Sequence, residues 1–191
     1  MIVWPTAERI ADGDDRPAWL EARRTRLTST DIAKAVTPAG RALVIQDKLF
    51  GLERRDNAAF QHGREREEFI AAQAEARFGI RPNRYLWDGN GYSATPDGIG
   101  DRKLGEYKTS IEPPPKTFPR IYRDQVYLAQ HVMDADETLI GWEQHINGVP
   151  TELEPVFWWV PRNQERITVL LAVADELTDY LATERLTLGL A

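Results

Sequence analysis

The chain has 191 residues, a formal net charge of −6 and no cysteine. This length fits one domain, residues 1–191, whose core needs neither disulfides nor structural metal. The missing thiols exclude zinc–thiolate sites, iron–sulfur clusters and a cysteine nucleophile. The first residues lack a basic segment followed by an apolar one, and no run approaches the roughly 20 apolar residues that span a bilayer, so a cytoplasmic protein with no membrane partner is expected. Charge is uneven: residues 1–130 carry 21 Lys+Arg against 19 Asp+Glu, and residues 131–191 carry 3 against 11. A polyanion can therefore meet the N-terminal two-thirds, although charge alone supports this weakly.

The start, to about Asp15, has little pattern. Arg16-Pro17 predicts the opening of a helix, because proline suits the first turn. Its apolar stripe would be Trp19, Leu20 and later Leu27, with Arg23 on the same stripe and so in need of an anionic partner. Leu27-Thr28-Ser29-Thr30-Asp31 breaks that helix and starts another with hydroxyls at the cap, a place where N-capping and phosphate binding are compatible. Thr37-Pro38-Ala39-Gly40 reads as a loop and Arg41 to Leu49 as a helix ending near Gly51.

Asp56 or Asn57 is placed to cap a long helix running to about Phe78. Its stripe reads Phe60, Gly63, Ile70, Ala71, Ala74 and Phe78, and Glu67 fills the gap. A carboxylate facing a core is costly unless paired or bound to metal, and a salt bridge to Arg23 is the ordinary solution.

Two hairpins are predicted next. Arg84 to Trp87 and Tyr92 to Thr95 flank Asp88-Gly89-Asn90-Gly91, a strong turn signal. Ala94 to Ile99 and Leu104 to Ser110 flank Gly100-Asp101-Arg102-Lys103, so both hairpins would form one small antiparallel meander. If Ile99 faces Leu104, then Asp97 faces Glu106 and Thr95 faces Lys108, with all four side chains on one face. Two opposed carboxylates repel, and a hard divalent cation would remove the repulsion, with the lysine beside it holding or deprotonating a water.

Three prolines at 113–115 make a stiff exit. Phe118 to Met133 reads as a helix with stripe Phe118, Ile121, Leu128 and Val132, and Gln125 lies within it. Glu137 to Ile146 and roughly Thr151 to Val160 read as strands around Asn147-Gly148, with Trp142, Phe157, Trp158 and Trp159 as sheet core or cover. A last helix runs to about Thr183 with stripe Ile167, Leu170, Leu171, Ala174, Leu177 and Leu181. The apolar tail from Leu186 is expected to pack, on another subunit for example.

Arg23, Glu67 and Gln125 are thus three polar groups pointed inward from separate helices, beside a hairpin face of hydroxyl, carboxylate, carboxylate and lysine. A buried polar site predicts such a coincidence. The three histidines have no metal-binding spacing, so candidate ligands are oxygen.

The motifs Trp19-x-x-x-Arg23 with Leu27-Thr28-Ser29-Thr30-Asp31, His62-Gly63-x-x-x-Glu67, Thr95-Pro96-Asp97-Gly98, Gly105-Glu106-Tyr107-Lys108-Thr109 and the helical Gln125 stand in an order that resembles the YqaJ-type viral recombinase nucleases, the phage lambda exonuclease-like branch of the PD-(D/E)xK nucleases. The resemblance covers roughly residues 17–133. It implies an α/β fold with a central mixed β-sheet flanked by helices, a restriction-endonuclease-like core, and Mg²⁺-dependent hydrolysis of DNA, typically 5′-to-3′ digestion from a duplex end. One or two ions are implied, with Mn²⁺ as a substitute.

By the same resemblance Asp97 and Glu106 would be the principal metal ligands, the Tyr107 carbonyl would complete the site, and Glu67 would act as a ligand or through water. Lys108 would position and help ionise the attacking water. Arg23, Thr30 and Thr95 would contact the terminal or scissile phosphate, and Gln125 would order metal-bound water or substrate. Implied partners are double-stranded DNA ends, a single-strand-annealing recombinase and further copies of the chain in a ring, in a bacterial cytoplasm if phage-encoded. The family often has serine at the positions of Thr30 and Thr95. Related nucleases commonly have tyrosine four residues after the helical glutamine, where this chain has Ala129. An endonuclease of restriction or repair type, and a non-catalytic DNA-end-binding module, are the competing classes.

Overall fold

The structure, a computed structural model, describes the backbone of residues 4–51 and 58–190 and the side chains of these residues except 58–65. The expected cap at Asp56 or Asn57 and the side chains of Phe60 and His62 lie outside the described residues. The order of elements is β1 (Glu8–Asp12), α1 (Arg16–Arg24), α2 (Ser29–Ala35), α3 (Pro38–Phe50), α4 (Ala58–Phe78), β2 (Arg81–Pro82), β3 (Tyr85–Gly89), β4 (Tyr92–Ala94), β5 (Gly98–Ile99), β6 (Lys103–Ser110), α5 (Arg120–Met133), β7 (Glu137–Ile146), β8 (Val149–Pro150), β9 (Val156–Pro161) and α6 (Gln164–Leu188).

The main sheet is mixed. Strand β6 pairs antiparallel with β5 and parallel with β7, and β7 pairs antiparallel with β9. Parallel neighbours need a crossover, which α5 supplies between β6 and β7. Alternation along β6 sends Tyr107 to one face, where it packs with Ile70 and Ala74 of α4 and with Leu139. On the other face Ile140 and Trp142 of β7 meet Leu128 of α5 and Ile167, Leu170 and Ala174 of α6. The expected α/β architecture, a mixed sheet between helices, is therefore present.

The two hairpins do not form one meander. Strands β3 and β4 belong to a separate three-stranded sheet with β1, whereas β5 and β6 belong to the main sheet. Residues 95–97 carry the chain from one sheet to the other, so the motif begins where neither sheet holds the backbone in a ladder. The β3–β4 turn is as expected, with Asn90 and Gly91 at φ 53° and 86°, both in the left-handed region.

Other expectations are corrected. Strand β1, which has no clear alternation in sequence, forms by pairing with β3 across a bulge between Arg9 and Ala11. Residues 37–40 are not a loop: Thr37 caps α3 by accepting from Gly40 N, and Pro38 occupies the first turn. Helix α1 buries no side chain fully and Leu20 is exposed, so Trp19 and Leu20 are not a core stripe. Ile121 is also exposed, while Leu128 and Val132 are buried as expected. Residues 151–154 lie between β8 and β9 rather than in a continuous strand. The C-terminal apolar residues extend α6, and Leu186, Leu188 and Leu190 are exposed.

Candidate active site

Tyr107 explains the glycines of the motif. A Cβ on Gly98 would stand 2.6 Å from the Tyr107 hydroxyl, and one on Gly105 would collide with it, so the ring lies against the backbone where β5 and β6 pair. The register Gly98↔Gly105 and Ile99↔Leu104 is the expected one.

It does not continue to Asp97 and Glu106. Asp97 N donates to Gly105 O at 2.9 Å, one residue out of step, and the Asp97 carboxylate takes over the role of a ladder carbonyl by accepting from Tyr107 N at 2.6 Å. The expected ladder of Thr95 across from Lys108 is accordingly absent, because the chain has left the sheet. The carboxylates still interact: burial first, then the charges of Glu106 and Glu67, push the Asp97 carboxyl well above the usual range, against the lowering effects of Lys108 and the Tyr107 amide.

Lys108 lies on the same face of β6 as Glu106. Its Nζ donates to Glu106 Oε1 at 2.5 Å and to the Tyr107 carbonyl at 3.0 Å. Burial disfavours this ammonium, but Glu106, Asp97 and Glu67 together raise its pKa above the ordinary lysine value. Gln125, on α5, donates from Nε2 to the same Glu106 oxygen at 2.7 Å. Glu67, partly buried on α4, is close enough for its charge to act on both Asp97 and Lys108.

Arg23 and Thr95 form a second polar group. Arg23 Nη1 donates to Thr95 Oγ1 at 3.3 Å, and its guanidinium lies 4.5 Å over the Trp19 ring. Thr95 is two residues from Asp97 in sequence. Thr30 is partly exposed in the first turn of α2, next to the buried Ser29 and Asp31.

Besides the Asp124–Arg166 pair, in which a fully buried carboxylate accepts at 2.9 and 2.7 Å, two further buried ionic clusters were not expected from sequence. Lys48 Nζ pairs with Asp31 at 2.7 Å, and both side chains are almost fully buried. Burial opposes the Asp31 carboxylate, yet Lys48, Thr28 and Arg23 hold it below the ordinary value; burial pulls Lys48 below its own. Lys48 falls four residues after the buried Val44 and beside Leu49, the same polar-on-a-stripe signal that marked Glu67. The second cluster joins Arg66 to Glu143 through 2.9 and 2.7 Å bonds, with His145 Nε2 2.7 Å from Glu143. Its sequence signal is a glutamate inside the otherwise buried run of β7.

Among the described residues, no three Asp, Glu or His side chains cluster as a metal site by themselves. The oxygens that do approach one another are the Glu106 carboxylate and the Tyr107 carbonyl, both within reach of one ammonium, with the Asp97 carboxylate on the Tyr107 amide.

No family model matches the chain, and no curated protein matches it. Solved structures do. An alkaline exonuclease, LHK-Exo from Laribacter hongkongensis, has a TM-score of 0.67 at 23% identity, with 92% of this chain and 100% of that chain covered. LHK-Exo in complex with dAMP gives 0.69 at 22% over the same shares. A phage-related exonuclease from Haemophilus somnus 129PT gives 0.64 at 14%, covering 86% of this chain and 98% of that chain. Over nearly its whole length, therefore, the chain has the fold of these exonucleases.

Proposed function

We propose that the protein is a metal-dependent deoxyribonuclease that digests duplex DNA from its ends, in the 5′-to-3′ direction. The observation that carries this reading is the convergence of Glu106, Lys108, Gln125 and the Tyr107 carbonyl beside Asp97. The shared exonuclease fold supports it.

The donor set fits Mg²⁺. Two carboxylates and a carbonyl oxygen, without sulfur or imidazole, match an ion that keeps several waters and uses one or two carboxylates plus substrate phosphate. Asp97, Glu106 and the Tyr107 carbonyl would hold it, with Glu67 acting directly or through water, and Mn²⁺ would substitute. When bound, the ion supplies a nucleophile at neutral pH and a clamp on charge developing at phosphorus.

The chain's own groups supply the remainder. Lys108, held cationic by three carboxylates, is suited to orient the attacking water and stabilise its hydroxide form. Gln125 fixes one oxygen of Glu106, leaving the other carboxylate oxygen to be directed at a cation. Arg23 presents a planar guanidinium, with one face on Trp19 and one N–H on Thr95, which suits a phosphate at a strand end.

Incubation with 5′-phosphorylated linear duplex and with covalently closed circles, each with Mg²⁺ or with EDTA, tests the reading. Mg²⁺-dependent loss of the linear substrate with intact circles is expected. Efficient cutting of the closed circle would replace the exonuclease by an endonuclease, and binding of ends without hydrolysis would leave a DNA-binding module.

A further inference from the structure

Helix α1 carries Arg23 toward the site but contributes no fully buried side chain to the core. With Trp19 and Ala22 only partly buried, apolar packing alone fixes its orientation weakly. The end that carries Arg23 is tied down by Lys48 from α3, whose Nζ donates to the Arg23 carbonyl at 2.6 Å. That carbonyl is one of the last in the helix, where no intrahelical donor follows.

Lys48 is itself fixed. Its ammonium is paired at 2.7 Å with Asp31, and the same carboxylate oxygen accepts from Thr28 N at 3.0 Å and Thr28 Oγ1 at 2.7 Å. Thr28 is the N-cap of α2, and the preceding carbonyl, that of Leu27, accepts from Ser93 N at 3.0 Å in the small sheet. Backbone from α1, α2 and the sheet that leads to Thr95 is thus gathered about one buried ion pair. Arg23 is held at its carbonyl by Lys48 and at its guanidinium by Thr95, with its guanidinium over the Trp19 ring.

We infer that Lys48, kept in place by Asp31, is a positioning residue that sets the Arg23 guanidinium for a terminal 5′-phosphate and thereby determines end specificity. This rests on the reading of Arg23 as a phosphate contact in a DNA exonuclease. The lysine never meets substrate; it acts through the helix end. A buried ammonium that is shared between a carboxylate and a neighbouring helix's terminal carbonyl resists small displacements, because either bond lost leaves a buried group unsatisfied.

The test compares kcat/KM on duplexes with 5′-phosphoryl and 5′-hydroxyl ends. Lys48→Met alone strands a buried Asp31 carboxylate and can unfold the chain, so the principal variant is Lys48→Met with Asp31→Asn, which removes both charges and keeps the volume. Circular dichroism and a melting curve establish that it folds. The expected result is a fall of about fivefold or more in the phosphoryl-to-hydroxyl ratio, a discrimination that a general loss of structure would not alter. Adding Arg23→Ala to the double variant is expected to lower the ratio little further, because the two changes disable one contact.

A ratio equal to that of the unmodified protein, with Arg23→Ala alone reducing it, would overturn the role of Lys48 and leave Arg23 intact. A ratio that Arg23→Ala does not change would overturn both. Equal losses on the two ends would make the Asp31–Lys48 pair a stabilising element only.

Discussion

Lys108 Nζ lies 2.5 Å from Glu106 Oε1 and 3.0 Å from the carbonyl oxygen of Tyr107, so one ammonium bridges the Glu106 carboxylate and the carbonyl proposed to help hold a cation. One ammonium faces three carboxylates, Glu106, Asp97 and Glu67, so a divalent ion held by Asp97, Glu106 and the Tyr107 carbonyl would supply positive charge that the protein alone lacks. Lys108→Met keeps the stem and removes the charge. It is expected to lower kcat for Mg²⁺-dependent digestion by about 10²-fold or more, in the range of lost general acid–base or electrostatic assistance, while DNA-end binding persists. Single-turnover digestion beside equilibrium DNA binding checks this, and full activity would remove Lys108 from the chemistry.

Asp97 leads to a different measurement. Its carboxyl is raised well above the usual range, by burial first and then by Glu106 and Glu67. Stability from such a group is complete below the unfolded value of about 4 and is lost as pH rises through the raised folded value. Without metal, the Asp97 contribution should therefore be lost between acid and neutral pH, against the opposite trend of carboxylates such as Glu143. Mg²⁺ should restore it, and the Mg²⁺-induced rise in Tm should be larger at pH 8 than at pH 5. Asp97→Asn should raise Tm in EDTA, since Asn can still accept from Tyr107 N, and should shrink the Mg²⁺ effect. For a chain of this size each kcal/mol corresponds to about 2–4 °C, which a melting scan resolves. A difference in Tm in EDTA between the parent and Asp97→Asn that does not widen as pH rises would contradict the assignment.

These two residues also show how far sequence reading reaches. The Ile99↔Leu104 register was legible because a short polar turn with Gly100 fixes it, and the alternation on β6 then sends Glu106 and Lys108 to one side. The step at Asp97 was not legible, since it arises when a side chain replaces a backbone acceptor for Tyr107 N. Nor was the change of sheet at residues 95–97, which depends on β1 arriving to pair with β3. The inward polar residues were legible by spacing where helices are long, as for Gln125. Lys48 carries the same spacing on α3, but lysine is seldom buried, so its position in sequence does not by itself mark a buried pair. The apolar tail does not pack on its own chain: α6 continues as a helix after its buried stripe ends at Leu181, and Leu186 and Leu188 are exposed there.

The pair of Arg66 and Glu143 should matter for stability. Burial opposes the Glu143 carboxylate, but its bonds to Arg66 and His145 hold it below the ordinary range. Its contribution is present above an unfolded value near 4 and is lost as pH falls through the depressed value. Glu143→Gln leaves the Arg66 guanidinium, about a quarter exposed, with a weaker partner. A loss on the order of 3 kcal/mol is expected, a fall in Tm of roughly 6–12 °C. Urea unfolding at pH 7 and pH 4 checks this, and the difference between parent and variant should narrow at the lower pH. Because Arg66 precedes Glu67 on α4, the folded fraction of the variant should also need more Mg²⁺ for half-maximal digestion.

Gln125 offers the narrowest test of the site. Its amide donates to the Glu106 oxygen that also takes Lys108, so that oxygen carries two donors at 2.7 and 2.5 Å. Gln125→Ala removes one of them and leaves Glu106 freer to rotate. Loss of an outer partner of a metal-ligating carboxylate typically costs 10–100-fold in affinity or activity, and a reduction of about tenfold in digestion is expected here. Gln125→Glu places a second carboxylate against Glu106 in a site that already contains Asp97 and Glu67. Like charges at that distance cannot all ionise without a cation, so this variant should be more stable in Mg²⁺ than in EDTA by a wider margin than the parent. Titrating Mg²⁺ against both activity and Tm separates the outcomes. Parent-like activity and parent-like Mg²⁺ dependence in both variants would mean that the contact with Glu106 has no part in holding the ion.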